Sequence, residues 1–324
     1  MATKQLNSSN TLLQKASSTS SSTPSPTLTI TPLRISTMVT TANWGAPISL
    51  PTLFEHFHNI AIPIWYPCEG ILKFEFKNMV LGACYKDIFT ERKITNKAFF
   101  NQSTMVLRRY IPGTTTFKEV NVKLFANGGI QMTGVVSEEF AKDSLQFLLS
   151  EIKKLEVSPF LDGIPTIDKF SIQLINTDYS LNKYVNQNLL HKILVNDYNL
   201  FSTLEKTIYQ GINTKFYYNK QNAVQRGVCT CEKSCKGQGL GDGEGQCKKI
   251  TISIFRTGKI IITGGRHMEQ IYMAYDFLNT ILKRHTNEVL IDIADTNIAP
   301  AESCSQTMLQ TLINGMSEIE LEAE

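Results

Sequence analysis

At 324 residues and 42% hydrophobic, the chain is long enough to bury one large core or two moderate ones. No apolar run approaches the ~18 residues of a membrane span, the N-terminus lacks the basic-then-apolar order of a signal peptide, and the seven cysteines are not spread like a secreted disulfide framework, so a soluble, intracellular protein without a membrane partner is expected. The net charge of +3 hides a segregation: +4 over residues 30–155, +7 over 165–286 and −8 over 287–324. A basic body with an acidic tail suits a polyanionic partner, and equally a solvated surface with a solubilising tail.

Residues 1–29 are rich in Ser, Thr and Pro and read as a disordered arm. Arg34–Thr41 reads as a strand, and SLPTLFEHFH (49–58) as a short helix with Ser49 as its N-cap. An apolar, aromatic insertion at about 60–98 adds a strand or two, and Phe100–Arg109 is the next strand. The stretch VNVKLFANGGIQMTGVV then reads as two strands joined by a glycine turn. Behind it, Ala141, Leu145, Leu148, Ile152 and Leu155 step by three and four, which is one face of a helix.

Residues 156–164 read as a linker. A second copy of the pattern opens at Phe170, with helical stretches expected at Leu189–Leu194 and Leu204–Gly211 and a strand at INTKFYY (212–218). A Cys- and Gly-rich insertion, 219–247, falls at a hairpin tip. The hairpin resumes as KKITISIFRTGKIIITGG (248–265), whose Phe255, Gly258, Ile260, Thr263 and Gly264 align with Phe125, Gly128, Ile130, Thr133 and Gly134 at a constant offset of 130. Met268, Ile271, Tyr275, Leu278 and Leu282 form the matching helix face. Two copies of one unit, 30–155 and 165–286, imply an α+β, pseudo-symmetric molecule: two sheets joined edge to edge with helices on one face. Residues 287–324 are an acidic tail with a helix expected at 305–316.

Cys229, Cys231, Cys235 and Cys247 have the spacing C-x-C-x3-C-x11-C. Four thiolates so close can close a tetrahedral zinc site and stiffen a loop without a core; reduced thiols or a redox pair are the alternatives. The five histidines pair with no acidic partner at metal-ligand spacing, and no nucleophile motif appears. The chain therefore reads as a protein that is not an enzyme and has no small-molecule substrate.

Six segments carry a family resemblance: VTTANWG…SLPTL (39–53), FNQSTMVLR (100–108), LFANGGIQMTG (124–134), FSIQLI (170–175), LEKTIYQG (204–211) and IFRTGKIIITGGRHMEQIYMAYDFL (254–278). Together they resemble the two repeats of the TATA-box-binding protein family, and the Cys/Gly insertion and divergent first repeat resemble the forms carried by large DNA viruses. The resemblance implies a saddle of ten curved antiparallel strands, with the concave face on the minor groove of double-stranded DNA and helices on the convex side. This family is itself the standard case of minor-groove kinking, in which apolar wedges unstack base steps at a few kcal/mol each, so that mechanism comes with the resemblance.

Carried over by motif, the wedges fall on Phe100 and Phe125 in the first repeat and on Tyr209 and Phe255 in the second. The family's Asn on the first strand of each repeat falls on Thr37 and Leu174, which weakens base readout there. Thr133 and Thr263 are kept on the sheet floor, with Ile261 before the latter and Gln131 before the former. The second repeat keeps the phosphate-contacting positions as Lys215, Lys259 and Arg266; the first has Val106, Gly129 and Val136, with Arg108 and Arg109 as partial substitutes. Glu205 keeps one acidic position of the loop that meets a transcription factor IIB-like protein. The resemblance thus implies a general transcription factor that binds and bends promoter DNA and works with RNA polymerase machinery, in a host nucleus or a cytoplasmic viral factory, with packaging in virions a further site. The alternative is a saddle converted into a protein-interaction module.

Overall fold

The computed structural model of the chain describes residues 27–89 and 101–293, apart from Lys206, Ile208, Ser234, Glu244 and Gly245. β1 (Arg34–Asn43) leads into α1 (Leu50–Glu55) and a 3-10 turn at Phe57–Asn59. Ser49 caps α1: its Oγ accepts the Thr52 amide at 3.3 Å, satisfying an N–H that the first turn leaves unpaired. β2 (Gly70–Phe76), β3 (Met79–Gly82) and α2 (Tyr85–Phe89) follow, then β4 (Gln102–Tyr110), β5 (Phe117–Phe125), β6 (Gly129–Val135) and α3 (Glu138–Lys153).

The later part of the chain gives β7 (Asp168–Ser180), β8 (Tyr184–Val185), α4 (Gln187–Asn196), β9 (Phe201–Thr203), β10 (Ile212–Tyr218), β11 (Lys248–Ile254), β12 (Lys259–Gly265), α5 (Met268–Arg284), α6 (Thr286–Val289) and β13 (Leu290–Ile291). Eleven strands join in one antiparallel sheet, in the order β3-β2-β4-β5-β6-β1-β7-β12-β11-β10-β9. The sheet is not closed into a barrel. β1 and β7 pair at its centre through Met38 and Ile175, and β6 and β12 flank them.

Both central hairpins use the same device. Gly128 and Gly258 turn at φ +84° and +80°, and a Cβ there would lie 2.3 Å from the Ala46 carbonyl and 2.4 Å from the Lys183 carbonyl. Any other residue would be strained and would push off the chain that follows each central strand. Alternation then sorts the faces. Ile130, Met132, Ile260 and Ile262 are buried, as are Phe140, Leu145 and Leu148 of α3 and Ile271, Leu278 and Leu282 of α5, all within one core cluster. Each fully buried side chain contributes about 1.5–3 kcal/mol by leaving water. One sheet face is thus covered by α3 and α5; the other, called here the open face, is covered only over β2 and β4, by the segment that holds α2.

Four expectations change. Among the described residues the sheet has eleven strands and not ten, because the 60–98 insertion supplies β3 as well as β2, and α2 besides. The helix expected at Leu204–Gly211 is absent from the described residues; Thr203 and Asn213 are cross-strand partners, so this stretch is the connection between two antiparallel strand ends. The start of the acidic tail is packed: Val289 is buried, β13 pairs with β8, and Lys183 forms an ion pair with Asp292. Of the arm expected to be disordered over 1–29, Leu28 packs on the core and the Thr29 amide donates to Asn182 Oδ1 at 2.8 Å, while residues 1–26, the tail from 294 and the helix expected at 305–316 lie outside the described residues.

Candidate nucleic-acid interface

The strand registers place open-face residues in two matched rows. In the second half the row runs Phe201, Lys215, Thr251, Thr263, Asn176, Thr37. In the first half it runs Lys73, Val106, Asn121, Thr133, Val39, Leu174. Thr37 and Leu174 therefore occupy corresponding places beside the centre, and Thr133 and Thr263 stand on the flanking strands. Thr37 Oγ1 accepts the Gly134 amide at 3.0 Å, and Thr263 Oγ1 hydrogen-bonds Asn176 Oδ1. Asn176 lies two residues beyond Leu174 on the same face. Sequence matching passed over it, although the period of two marks it.

At the second-half turn, Tyr209 and Phe255 meet edge to face with ring centroids 5.6 Å apart. Gly211 lies against both rings; a Cβ there would be 3.0 Å from Tyr209 and 3.2 Å from Phe255. A shallow recess beside Phe255 is lined by Gln187, Gln210, Arg256, Lys259 and Ile261. Phe125 stands half-buried at the corresponding first-half turn, and Phe100 lies outside the described residues. Glu205 is exposed at the head of the Tyr209 loop, its carbonyl accepting the Tyr209 amide at 2.8 Å.

The basic groups divide unevenly. Lys215 donates to Thr251 Oγ1 at 3.0 Å, and burial, with Lys249 nearby, holds its pKa below the usual lysine range. Lys249 shares the open face with its cross-strand partner Tyr217 and was not singled out from sequence. Lys259 Nζ lies 3.3 Å from Asp178, which Arg34 also contacts at 3.0 Å. Arg266 stands at the junction of β12 and α5, near Lys248, whose pKa is lowered by burial and by Arg266.

In the first half, neither arginine is a substitute for the missing lysines. Arg108 donates to the Ile64 and Tyr66 carbonyls at 2.6 Å each. Arg109 turns to the helix side, where Glu69 and Asp143 pair with it and the Phe147 ring lies 4.1 Å away. Alternation sends adjacent residues to opposite faces, and each face offered a closer partner.

The four insertion cysteines converge. Sγ–Sγ distances are 3.4 Å for Cys229–Cys235 and Cys231–Cys247, 3.7 Å for Cys231–Cys235 and 3.9 Å for Cys229–Cys247. All four sulfurs lie within 4.8 Å of one another and could hold a metal ion. Burial opposes ionisation of Cys229, but the Cys235 and Cys231 amides bring its thiol down to about 7; burial pushes Cys247 up to about 12. One thiol thus takes up negative charge at the expense of its neighbours.

Comparison with known proteins falls on the same elements. The family model described as transcription factor TFIID (or TATA-binding protein, TBP) matches residues 245–285, which hold β11, β12 and α5. A curated protein, "TATA-box-binding protein-like" of Acanthamoeba polyphaga mimivirus, is 27% identical over 232 residues, 66% of this chain. The chain is thus similar to TATA-box-binding proteins, over these elements for the family model and over 66% of its length for the mimivirus protein. The match spans 56% of the length of the mimivirus protein. Among solved structures, Methanococcus jannaschii TBP aligns at a TM-score of 0.41 and 18% identity, over 79% of this chain and 98% of that one.

Proposed function

We propose that the chain is a DNA-binding general transcription factor that seats the minor groove on its open face and bends the duplex. The observation that carries this reading is the second half's arrangement on its helix-free face. A paired aromatic wedge, Tyr209 and Phe255, stands at one end of a floor built from Ile261, Thr263 and Asn176, with Lys215, Lys249 and Lys259 around it. Small polar and apolar groups suit the degenerate minor-groove edge, lysines suit phosphates, and rings at a turn suit insertion between base steps. Thr37, Leu174 and Thr133 extend the floor into the first half, Phe100 and Phe125 are its wedges, and Arg266 is a further phosphate contact. Glu205, exposed beside the wedge, is the proposed contact for a transcription factor IIB-like protein that links this chain to polymerase. The test is titration of end-labelled A·T-rich and G·C-rich duplexes at several salt concentrations, with a fluorescence pair reporting bending. Salt-sensitive, bending binding that weakens at least about tenfold in Phe255→Ala, some 1.4 kcal/mol, is expected. Absence of binding at low salt would favour a protein-interaction module.

Cys229, Cys231, Cys235 and Cys247 are further proposed to hold one zinc ion. A tetrahedral Zn–S4 centre with bonds of about 2.3 Å has sulfurs about 3.8 Å apart, close to the separations here, and a soft four-thiolate set favours zinc. The ion's role is structural, holding the insertion against β10 and β11. Elemental analysis of the purified protein should give one zinc per chain, lost in Cys231→Ser/Cys247→Ser; metal-free protein with four titratable thiols in this loop contradicts it.

A further inference from the structure

Corresponding places in the two rows differ in exposure. In the second half Phe201 is 64% exposed and Lys215 lies half-open on its row. Their first-half counterparts, Lys73 and Val106, are only 6% and 7% exposed. The cover is the segment Cys84–Phe89. Leu72, Cys84 and Val106 form a small apolar cluster with Ile62 packed on it, separate from the main core. Lys73 Nζ pairs with Asp87 and Glu75 at 2.7 Å each, Asp87 accepts the Cys84 amide at 2.8 Å, and Glu119 accepts the Tyr85 amide at 2.9 Å. A phosphate arriving at this row meets Glu75, Asp87 and Glu119, and the row's own cation is already held by two carboxylates.

We propose that Cys84–Phe89 closes the outer part of the first half's open face, so that a duplex is gripped by the second half and the centre of the sheet. This rests on the DNA-binding reading above. Of the two corresponding places on the rows, Lys215 is open to a phosphate, whereas Val106 is apolar and covered.

Two readouts on the full chain test this. Ultraviolet cross-linking to an A·T-rich duplex, followed by peptide mapping, should recover peptides from β10–β12 and on the order of tenfold less from β2 and β4. In parallel, alkylation of Cys84, read by peptide mass, should be slow in the free protein and stay slow with duplex bound. Asp87→Lys should speed Cys84 alkylation and bring β2 and β4 into the cross-linked set. Equal cross-linking from both halves with Cys84 unmasked by duplex overturns the proposal, as does unchanged cross-linking in Asp87→Lys once Cys84 is exposed. If no duplex binds, the DNA-binding reading fails separately, and fast Cys84 alkylation in the free protein overturns the closure by itself.

Discussion

Tyr209 is where a single atom separates the proposed wedges from a set of phenylalanines only. It is 39% exposed and packs on Phe255 by its ring, so in the proposed binding mode its hydroxyl is carried in with its apolar body. Burying a hydroxyl among bases without a partner costs about 1–3 kcal/mol by protein mutational measures. Tyr209→Phe is therefore expected to bind DNA a few-fold more tightly than wild type, with the bend unchanged or larger, in the duplex titration. Weaker binding would mean that the hydroxyl makes a contact of its own. Sequence motifs reach this pair readily, since Phe255 follows a strand and precedes a glycine turn. They pass over Asn176, which the period of two puts on the same face as Leu174 and which the register of β7 against β12 sets beside Thr263.

At the level of elements, legibility followed local chemistry. The two central hairpins and helices α3 and α5 could be read because glycine at positive φ and apolar spacing of three and four act within a few residues. β2 could be read only as a strand somewhere within 60–98, without its bounds. Six of its seven residues are buried, because the open face is capped there as well, and a register shift between Ile71 and Lys73 breaks the alternation. The buried lysine in that run is held by Glu75 of the same strand and by Asp87, fourteen positions on.

The same pair makes the covering segment sensitive to acid. Burial works against the Asp87 carboxylate, but the Cys84 amide and Lys73 bring its pKa down to about 2. A carboxylate depressed in the folded state contributes stability that is fully present above its ordinary value of ~4 and lost as pH falls towards 2. Glu119 is raised by burial and has the opposite sign: its protonation relieves the fold as pH drops through its own range. Lys73 and Glu75 complete the charged surroundings. The Cys84 and Tyr85 amides should therefore keep their hydrogen-exchange protection down to about pH 4 and lose it between about 4 and 2, ahead of the hairpin amides. Simultaneous loss of both sets would show that the segment is no separate unit.

Across the whole molecule, the matched registers make the two halves comparable place by place, and the comparison is one of charge. Lys215, Lys249 and Arg266 belong to the second half, with Lys259 there shared with Asp178, whereas Lys73 and Arg109 of the first pair with carboxylates and Arg108 donates to carbonyls of the protein itself. Bulk charge by segment, +7 against +4, points the same way but understates the difference, because it counts cations that are already spent. Each phosphate neutralised on a duplex contributes about −0.9 to the slope of log K against log salt concentration. Three such cations, with Lys259 as a fourth once it leaves Asp178, therefore give a slope of about −3 to −4, where two equivalent halves would give about twice that. Lys249→Ala should reduce the slope by about 1, whereas Lys142→Ala, paired with Glu138 on the helix side, should leave it unchanged. A slope near −7 that falls equally for substitutions in either half would mean that both arms grip the duplex.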